Sequence, residues 1–228
     1  MSGSLPSGDE KAATVRSLFD RISPRYDLVN RVMTFGMDVG WRRRAIRELH
    51  LPTGSRVFDL ACGTGDFCRE LRRAGYLAAG FDFSFGMLER ARTDVPLVQA
   101  DILKLPAPDA SADGVTCGFA LRNVVSLEAL FAELGRIVRP GGAIALLDAS
   151  RPDNPVLQMG HRVYFEHVVP MIGGLLSDRD AYAYLPKSMA YLPPAAEMLA
   201  LLNAAGFPSA RRIQLSGGIT QLLVGVRA

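Results

Sequence analysis

The sequence predicts an α/β fold: one doubly wound, mostly parallel sheet of seven strands with helices on both faces. Three observations carry this. Short apolar runs that end in turn residues or carboxylates alternate with stretches of helical period, the order that builds a parallel sheet. After the first such run comes a glycine-rich turn, Cys62-Gly63-Thr64-Gly65, which leads into the periodic Phe67, Cys68 and Leu71 and reads as strand, turn and helix start. Finally, two strand-like runs, residues 211–215 and 219–226, close the chain as a hairpin. With 228 residues, 49% of them hydrophobic, the chain has the core for one such domain and is short for two.

The elements follow in order. Residues 1–11, with Ser, Gly and Pro and no apolar h-region, read as a flexible tail and not as a signal peptide. Residues 12–50 form a helical segment ahead of the first strand. In it Val15, Leu18, Phe19 and Ile22 make a stripe that ends near Pro24. Past Gly36, Trp41, Ala45 and Leu49 share a face with arginines opposite, and Pro52 and Gly54 end the segment. The first strand is the run at Val57 to Leu60. A second ends at Asp82, about 20 residues beyond the glycine turn, where a carboxylate can accept from ribose hydroxyls. Met87, Leu88 and Ala91 mark a helix, and the strand 97–100 ends at Asp101. Another strand runs from Asp113 into the loop 119–123. Leu127, Leu130, Phe131, Leu134, Ile137 and Val138 then make one helix face, stopped by Arg139-Pro140-Gly141-Gly142 before the strand 143–147. Residues 151–194 are irregular yet rich in aromatic and large apolar side chains, which suits an insertion forming a pocket wall. A helix over 197–204 precedes the final hairpin.

The turn after the first strand lacks the third glycine of a dinucleotide fingerprint and carries acidic residues, so it suits a cationic ligand better than a pyrophosphate. S-adenosylmethionine, with its sulfonium and ammonium, is such a ligand. From Asp59 to Gly65 the chain resembles the class I S-adenosylmethionine-dependent methyltransferases. The resemblance implies a Rossmann-like fold and that cofactor, with Asp59, Gly63, Thr64, Gly65, Asp82, Asp101, Ile102 and Gly118 around it.

Two further stretches are more specific. Phe19-Asp-x-Ile-x-x-x-Tyr26-Asp-Leu-x-Asn30, followed by Gly36 and Trp41-Arg-Arg, and the loop Leu121-Arg122-Asn123 resemble the quinone-pathway C-methyltransferases, the demethylmenaquinone and 2-methoxy-6-polyprenyl-benzoquinol methylases. Ser150-Arg151-Pro152, Tyr182-Ala-Tyr184-Leu-x-x-Ser188 and Gly217-Gly218-Ile219 echo the same family. The resemblance implies methylation of a polyprenyl quinol ring, demethylmenaquinol to menaquinol foremost. It implies Arg122, Asn123 and Asp66 as a catalytic group in which Asp66 holds Arg122, Tyr26 over the donor pocket, and Tyr164, His167, Tyr182 and Tyr184 as substrate contacts. Three departures stand out. Gly118 replaces the serine of a Ser-Phe pair, Ala120 replaces a glycine, and Gln221-Leu222-Leu223 replaces Ala-Leu-His.

Composition bounds the alternatives. A net charge of +3, with both signs spread along the chain, argues against nucleic acid as substrate. Three cysteines without metal-ligand spacing argue against zinc and disulfides and for a reducing cytosol. No run of 18 apolar residues predicts a membrane span. A transient contact with the inner face of the membrane, assisted by Arg42, Arg43 and Arg44, is the expected route to a lipid-dissolved substrate, and a homodimer is compatible with the sequence. The rival readings are methylation of another lipophilic phenol or polyketide, and a catalytically silent homologue that binds S-adenosylmethionine.

Overall fold

The computed structural model describes residues 8–177, 184 and 188–228. Its strands are β1 (Arg56–Leu60), β2 (Leu77–Asp82), β3 (Leu97–Gln99), β4 (Ala112–Gly118), β5 (Val138–Ala149), β6 (Arg211–Leu215) and β7 (Thr220–Val226). They form one sheet in the order β3-β2-β1-β4-β5-β7-β6. The first five pair in parallel, and β7 runs antiparallel between β5 and β6. The chain winds outward from β1 to β3 and then crosses to β4 on the other side of β1. The ends of β1 and β4 therefore flank the crevice in which open α/β sheets bind ligands.

Both faces of the central strands are covered, so these strands read as nearly unbroken apolar runs. Phe58, Phe81, Val115, Phe131 and Phe207 pack on one face; Val57, Phe67, Leu71, Leu147 and Trp41 pack on the other. The helices are α1 (Gly8–Ile22), α2 (Tyr26–Met33), α3 (Met37–Glu48), α4 (Asp66–Arg73), α5 (Phe85–Glu89), α6 (Leu127–Ile137), α7 (Pro155–Val163), α8 (Val169–Leu176) and α9 (Ala195–Ala204). A π-turn, Tyr164–Val168, joins α7 to α8. The start of α7 is set locally: Pro155 sits in the first turn, and the Asn154 side chain accepts from the Val156 N–H at 2.9 Å.

Three local features differ from the sequence expectation. Helix α1 begins at Gly8, inside the stretch read as tail, because its apolar stripe finds partners on α5 and the 121–123 turn. The Arg139-Pro140-Gly141-Gly142 turn does stop α6, yet it also lies within β5. The register passes from Ala112↔Val138 to Gly114↔Ala143, and Gly141 takes a φ of +75° to make the bulge. Arg42 lies on the buried side of α3, not opposite it.

Candidate active site

A cavity of about 380 Å³ opens beyond the carboxyl ends of β1, β2 and β4. Gly63, Asp82, Phe83, Asp101, Ile102 and Gly118 line its sheet side. The turn after β1 is shaped by Gly63, at φ +55°, whose N–H donates to Asp82 Oδ2 at 2.7 Å. The other carboxylate oxygen accepts from the Ser84 N–H at 2.8 Å. Burial pushes the Asp82 carboxyl up to about 6, against the backbone N–H groups of Ser84, Gly63 and Phe83, which pull it down. A Cβ built on Gly63 would meet no protein atom within 4 Å, so the chain there leaves open space for a ligand. Asp101 stands exposed at the rim, with one oxygen accepting from the Leu103 N–H at 2.9 Å.

Across this cavity lies α1, contributing Ala12, Val15, Arg16 and Phe19. Lys11 ties that helix down. Its ammonium donates to Val124 O at 2.6 Å and stands 3.8 Å over the Tyr191 ring. Burial lowers its pKa to about 8.

A second cavity of about 430 Å³ adjoins the first. Phe19, Tyr26, Phe119 and Asn123 line both. The walls of the second cavity are mostly apolar, with Ile22, Met33, Trp41, Leu157, Phe165 and Val169 among them. Helix α7 and the π-turn supply one side. The Tyr164 hydroxyl joins that side to α2, donating to Met33 O at 2.6 Å.

The polar groups of this second cavity include a buried set at the 121–123 turn. Arg122 pairs through Nη1 with Asp148, a fully buried carboxylate that also accepts the Arg122 N–H at 3.2 Å and the Ala149 N–H at 2.7 Å. Asn123 donates from Nδ2 to Phe119 O at 3.3 Å. Asn123 Oδ1, Tyr184 OH and His161 Nε2 are buried without a hydrogen-bond partner among the described residues. Buried polar atoms in folded proteins are nearly always paired, and all three residues line this cavity, His161 also lining a neighbouring one with Arg151 and Phe165, so a bound ligand is a partner the pocket offers them. Burial pushes the Tyr26 hydroxyl above its ordinary value, while a hydrogen bond with Asn30 and the charges of Arg122 and Arg42 pull it down. Tyr26 thus stays protonated near neutrality, at the wall shared by the two cavities.

The sequence-predicted residues divide accordingly. Gly63, Asp82, Asp101, Ile102, Gly118 and Tyr26 line the first cavity, and Arg122, Asn123, Tyr164 and Tyr184 line the second. Asp66 does not hold Arg122. It pairs with Arg69 and, at 3.0 Å, with Arg42, which also reaches Asp38 at 2.5 Å. The chain places Asp66 at the start of α4 facing α3, whereas the end of β5 puts Asp148 under the 121–123 turn. Thr64 directs its hydroxyl to Asp27, and Thr64 and Gly65 line neither cavity. Asp59 also lines neither. Its carboxylate lies beneath the turn, accepting from Thr116 Oγ1 at 2.9 Å and the Cys68 thiol at 3.4 Å, and burial pushes it up to about 7. His167 is exposed, with its ring at Val163 O, and is absent from both cavity walls. Tyr182 lies outside the described residues.

The three departures also find physical settings. A Cβ on Gly118 would stand 2.8 Å from the ring of buried Phe67, so the volume a serine would need is already filled. Ala120 has φ −113°, open to any residue. Leu223, where the resemblance expects histidine, is fully buried among Leu146, Met198 and Phe207, away from both cavities, and Gln221 accepts from Arg212 Nε at 2.8 Å. Arg42, Arg43 and Arg44 are not a free basic patch: Arg43 pairs with Glu70 and Arg44 with Glu48.

A sheet whose seventh strand runs antiparallel between the fifth and sixth, with a ligand cradle beyond its switch point, is the architecture of a class I S-adenosylmethionine-dependent methyltransferase. The model of the ubiE/COQ5 methyltransferase family matches residues 7–227, and the chain belongs to that family. It is 40% identical over 222 residues to the ubiquinone/menaquinone biosynthesis C-methyltransferase of Syntrophotalea carbinolica, covering 93% of this chain and 94% of that one. It is 38% identical over 232 residues to the demethylmenaquinone methyltransferase of Roseiflexus castenholzii, covering 98% and 94%. Among solved structures, an S-adenosylmethionine-dependent methyltransferase of Thermotoga maritima, a possible histamine N-methyltransferase, is alike in fold at a TM-score of 0.66 and 19% identity, covering 93% of this chain and 99% of that one. The chain is accordingly an enzyme that uses S-adenosylmethionine. Among the described residues no helix is long and apolar enough to cross a membrane.

Proposed function

We propose that the enzyme methylates a ring carbon of a polyprenylated quinol in menaquinone/ubiquinone biosynthesis, with demethylmenaquinol as the preferred substrate. One observation carries this reading: an apolar cavity with a buried Arg122–Asp148 pair shares the wall of Tyr26, Phe119 and Asn123 with the donor cavity. Such a cavity accepts a greasy ring and presents a fixed positive charge to its oxygen.

In the donor cavity Asp82 would take ribose hydroxyls, Asp101 and Ile102 the adenine, and the backbone at Gly63 and Gly118 the amino-acid end. When bound, S-adenosylmethionine supplies a sulfonium methyl, which the ring carbon takes with its own electron pair while the sulfur keeps the pair of the broken bond. The protein's part is to make that ring carbon electron-rich and to hold it. Losing the proton of the adjacent hydroxyl does the first, and Arg122, kept charged by its guanidinium chemistry, stabilises the resulting oxyanion. Asp148 fixes the direction of the guanidinium. Asn123 Oδ1, an acceptor with no partner among the described residues, is matched to a quinol O–H and not to a quinone carbonyl. The hydroxyl proton, and later the proton of the methylated carbon, leave to water. Orientation of the reacting pair supplies about 7–11 kcal/mol in favourable cases.

A lipid-dissolved substrate also requires contact with the membrane surface. Val156, Met159 and Val163 on α7 and Met171 and Leu175 on α8 are exposed apolar residues on the elements that wall the quinol cavity. They, and not Arg42 to Arg44, are the proposed contact. Replacing Met171 and Leu175 together by glutamate should abolish flotation with liposomes of mixed zwitterionic and anionic lipid. Sedimentation of the same variant tests whether that face instead forms a homodimer; a dimer lost with the two substitutions, and unchanged flotation, would count against membrane contact.

The function itself is tested by incubating the enzyme with methyl-labelled S-adenosylmethionine and chemically reduced demethylmenaquinone, beside a 2-methoxy-6-polyprenyl-benzoquinol and an unprenylated phenol. Label on a ring carbon of the prenylated quinol is the expected result. Transfer confined to the unprenylated phenol would replace the quinol reading by methylation of another lipophilic phenol.

A further inference from the structure

We infer that His161 is a specificity-determining residue that anchors the second ring oxygen of the substrate, the one opposite the oxygen held at Arg122 and Asn123. The inference rests on the quinol reading and deepens it.

The three unpartnered buried atoms divide into two groups. Asn123 adjoins Arg122 at the wall shared with the donor cavity, and the Tyr184 hydroxyl feels the Arg122 charge, so both belong to the catalytic end. His161 lies on α7, where Val156, Leu157 and Gly160 make the insertion side of the same cavity. Most of the other residues that line the cavity are apolar. A ligand that satisfies both must be flat, greasy and polar at two separate points, which describes a ring with two oxygens placed para to one another. A ring with one hydroxyl would satisfy the Asn123 end and leave His161 Nε2 desolvated and unpaired, and sites built on buried polar groups discriminate strongly against ligands that leave them so.

The histidine is set for this role by its surroundings. Its ring lies 4.4 Å from that of Phe165 at an interplanar angle of 32°, which fixes the plane of the imidazole. Burial, and next the charge of Arg151, lower its pKa, so the ring is neutral near pH 7. A neutral imidazole can donate to or accept from an oxygen, and it adds no second positive charge to compete with Arg122 for the developing oxyanion. This assigns binding to His161 and leaves activation of the ring to the Arg122 end.

The test uses two substrates and three enzymes. The substrates are reduced demethylmenaquinone with a short prenyl chain and the matching prenylated naphthol that keeps the hydroxyl beside the methylated carbon and lacks the opposite one. The enzymes are the wild type, His161→Phe, which keeps an aromatic ring against Phe165, and His161→Gln, which restores a polar end. For the diol, His161→Phe should lower kcat/KM by about 5- to 15-fold, chiefly through KM, with partial recovery in His161→Gln. For the monohydroxy naphthol all three enzymes should agree within about twofold. An equal loss on both substrates would mean that His161 only supports the fold, and no loss on the diol would mean that it does not touch the far oxygen; either overturns the inference. If the wild type methylates neither substrate, the quinol reading falls, and the inference falls with it.

Discussion

Asp148→Asn removes one charge and changes almost no volume, and its consequence can be worked from the surroundings of that carboxylate. Asp148 is 0% exposed and Arg122 is 7% exposed. The carboxylate receives three donors: the Arg122 guanidinium, the Arg122 N–H at 3.2 Å and the Ala149 N–H at 2.7 Å. Asparagine offers one acceptor oxygen and turns an NH₂ group towards the remaining donors. The guanidinium then stays buried without its counter-charge. Breaking a buried pair in this way costs about 3–5 kcal/mol, a large share of the 5–15 kcal/mol that holds a typical domain together. In a chain of this size each kcal/mol moves Tm by about 2–4 °C, so the midpoint should fall by roughly 6–20 °C. Thermal and urea unfolding, run at matched protein concentration without donor, read this directly. Methyl transfer should fall as well, because Arg122 loses the group that aims it, while donor affinity should hold within about threefold, since Asp148 lines no part of the donor cavity. A loss of stability under about 1 kcal/mol would refute the reasoning, because it would show the guanidinium escaping to solvent or to another anion.

Other outcomes follow from the same structure. Asp82 has its carboxyl raised to about 6, so the affinity for S-adenosylhomocysteine should weaken as pH falls through 6 and level off above 7; calorimetry giving a flat profile between pH 5 and 8 would remove Asp82 as a ribose acceptor. The sign for stability is the reverse: the native state holds this proton more tightly than the unfolded chain, so the Asp82 contribution declines as pH rises from about 4 to about 6. Gly118→Ser should cost about 1–3 kcal/mol through collision with the Phe67 ring, and Phe67→Leu should relieve part of it in the double variant, as read by urea midpoints. Lys11→Ala removes the hydrogen bond to Val124 and the contact with Tyr191 that hold α1 over the donor cavity, and stopped-flow displacement should show donor release faster by about 5-fold.

Much of the fold was legible because its signals are local. The runs of β1, β4 and β5 are largely apolar since both sheet faces are covered, and the turn at Gly63 and Gly65 marks where a strand must give way to a helix. The donor cavity was legible where a residue lies at a strand end, as Asp82 and Asp101 do. It was not legible where the wall comes from a distant segment, as with Ala12, Val15 and Arg16 of α1, whose spacing announces a helix but not what it covers. Asp66 illustrates the harder limit. Several arginines lie on α3, on α4 and in the loop after β4, and sequence cannot decide which carboxylate takes which; the ends of β5 and α4 decide it, giving Asp148 to Arg122 and Asp66 to Arg42 and Arg69. Asp148 carried a signal of its own, a carboxylate at the end of an apolar strand. His161 and His167 are six positions apart on one insertion, and the helical path between them, which includes the π-turn at Tyr164–Val168, leaves His161 half-buried at the cavity and His167 exposed.

On this reading a methyl group passes between two adjoining cavities at the wall where Arg122 is held. Single-turnover transfer from labelled S-adenosylmethionine to reduced demethylmenaquinone, in wild type and Arg122→Ala with donor affinity measured alongside, tests it most directly. The transfer rate should fall by about 100-fold or more in Arg122→Ala, in line with the loss of an oxyanion-stabilising group, with donor affinity changed by less than about threefold. Transfer at the wild-type rate in Arg122→Ala would contradict it and would move the chemistry away from the 121–123 turn.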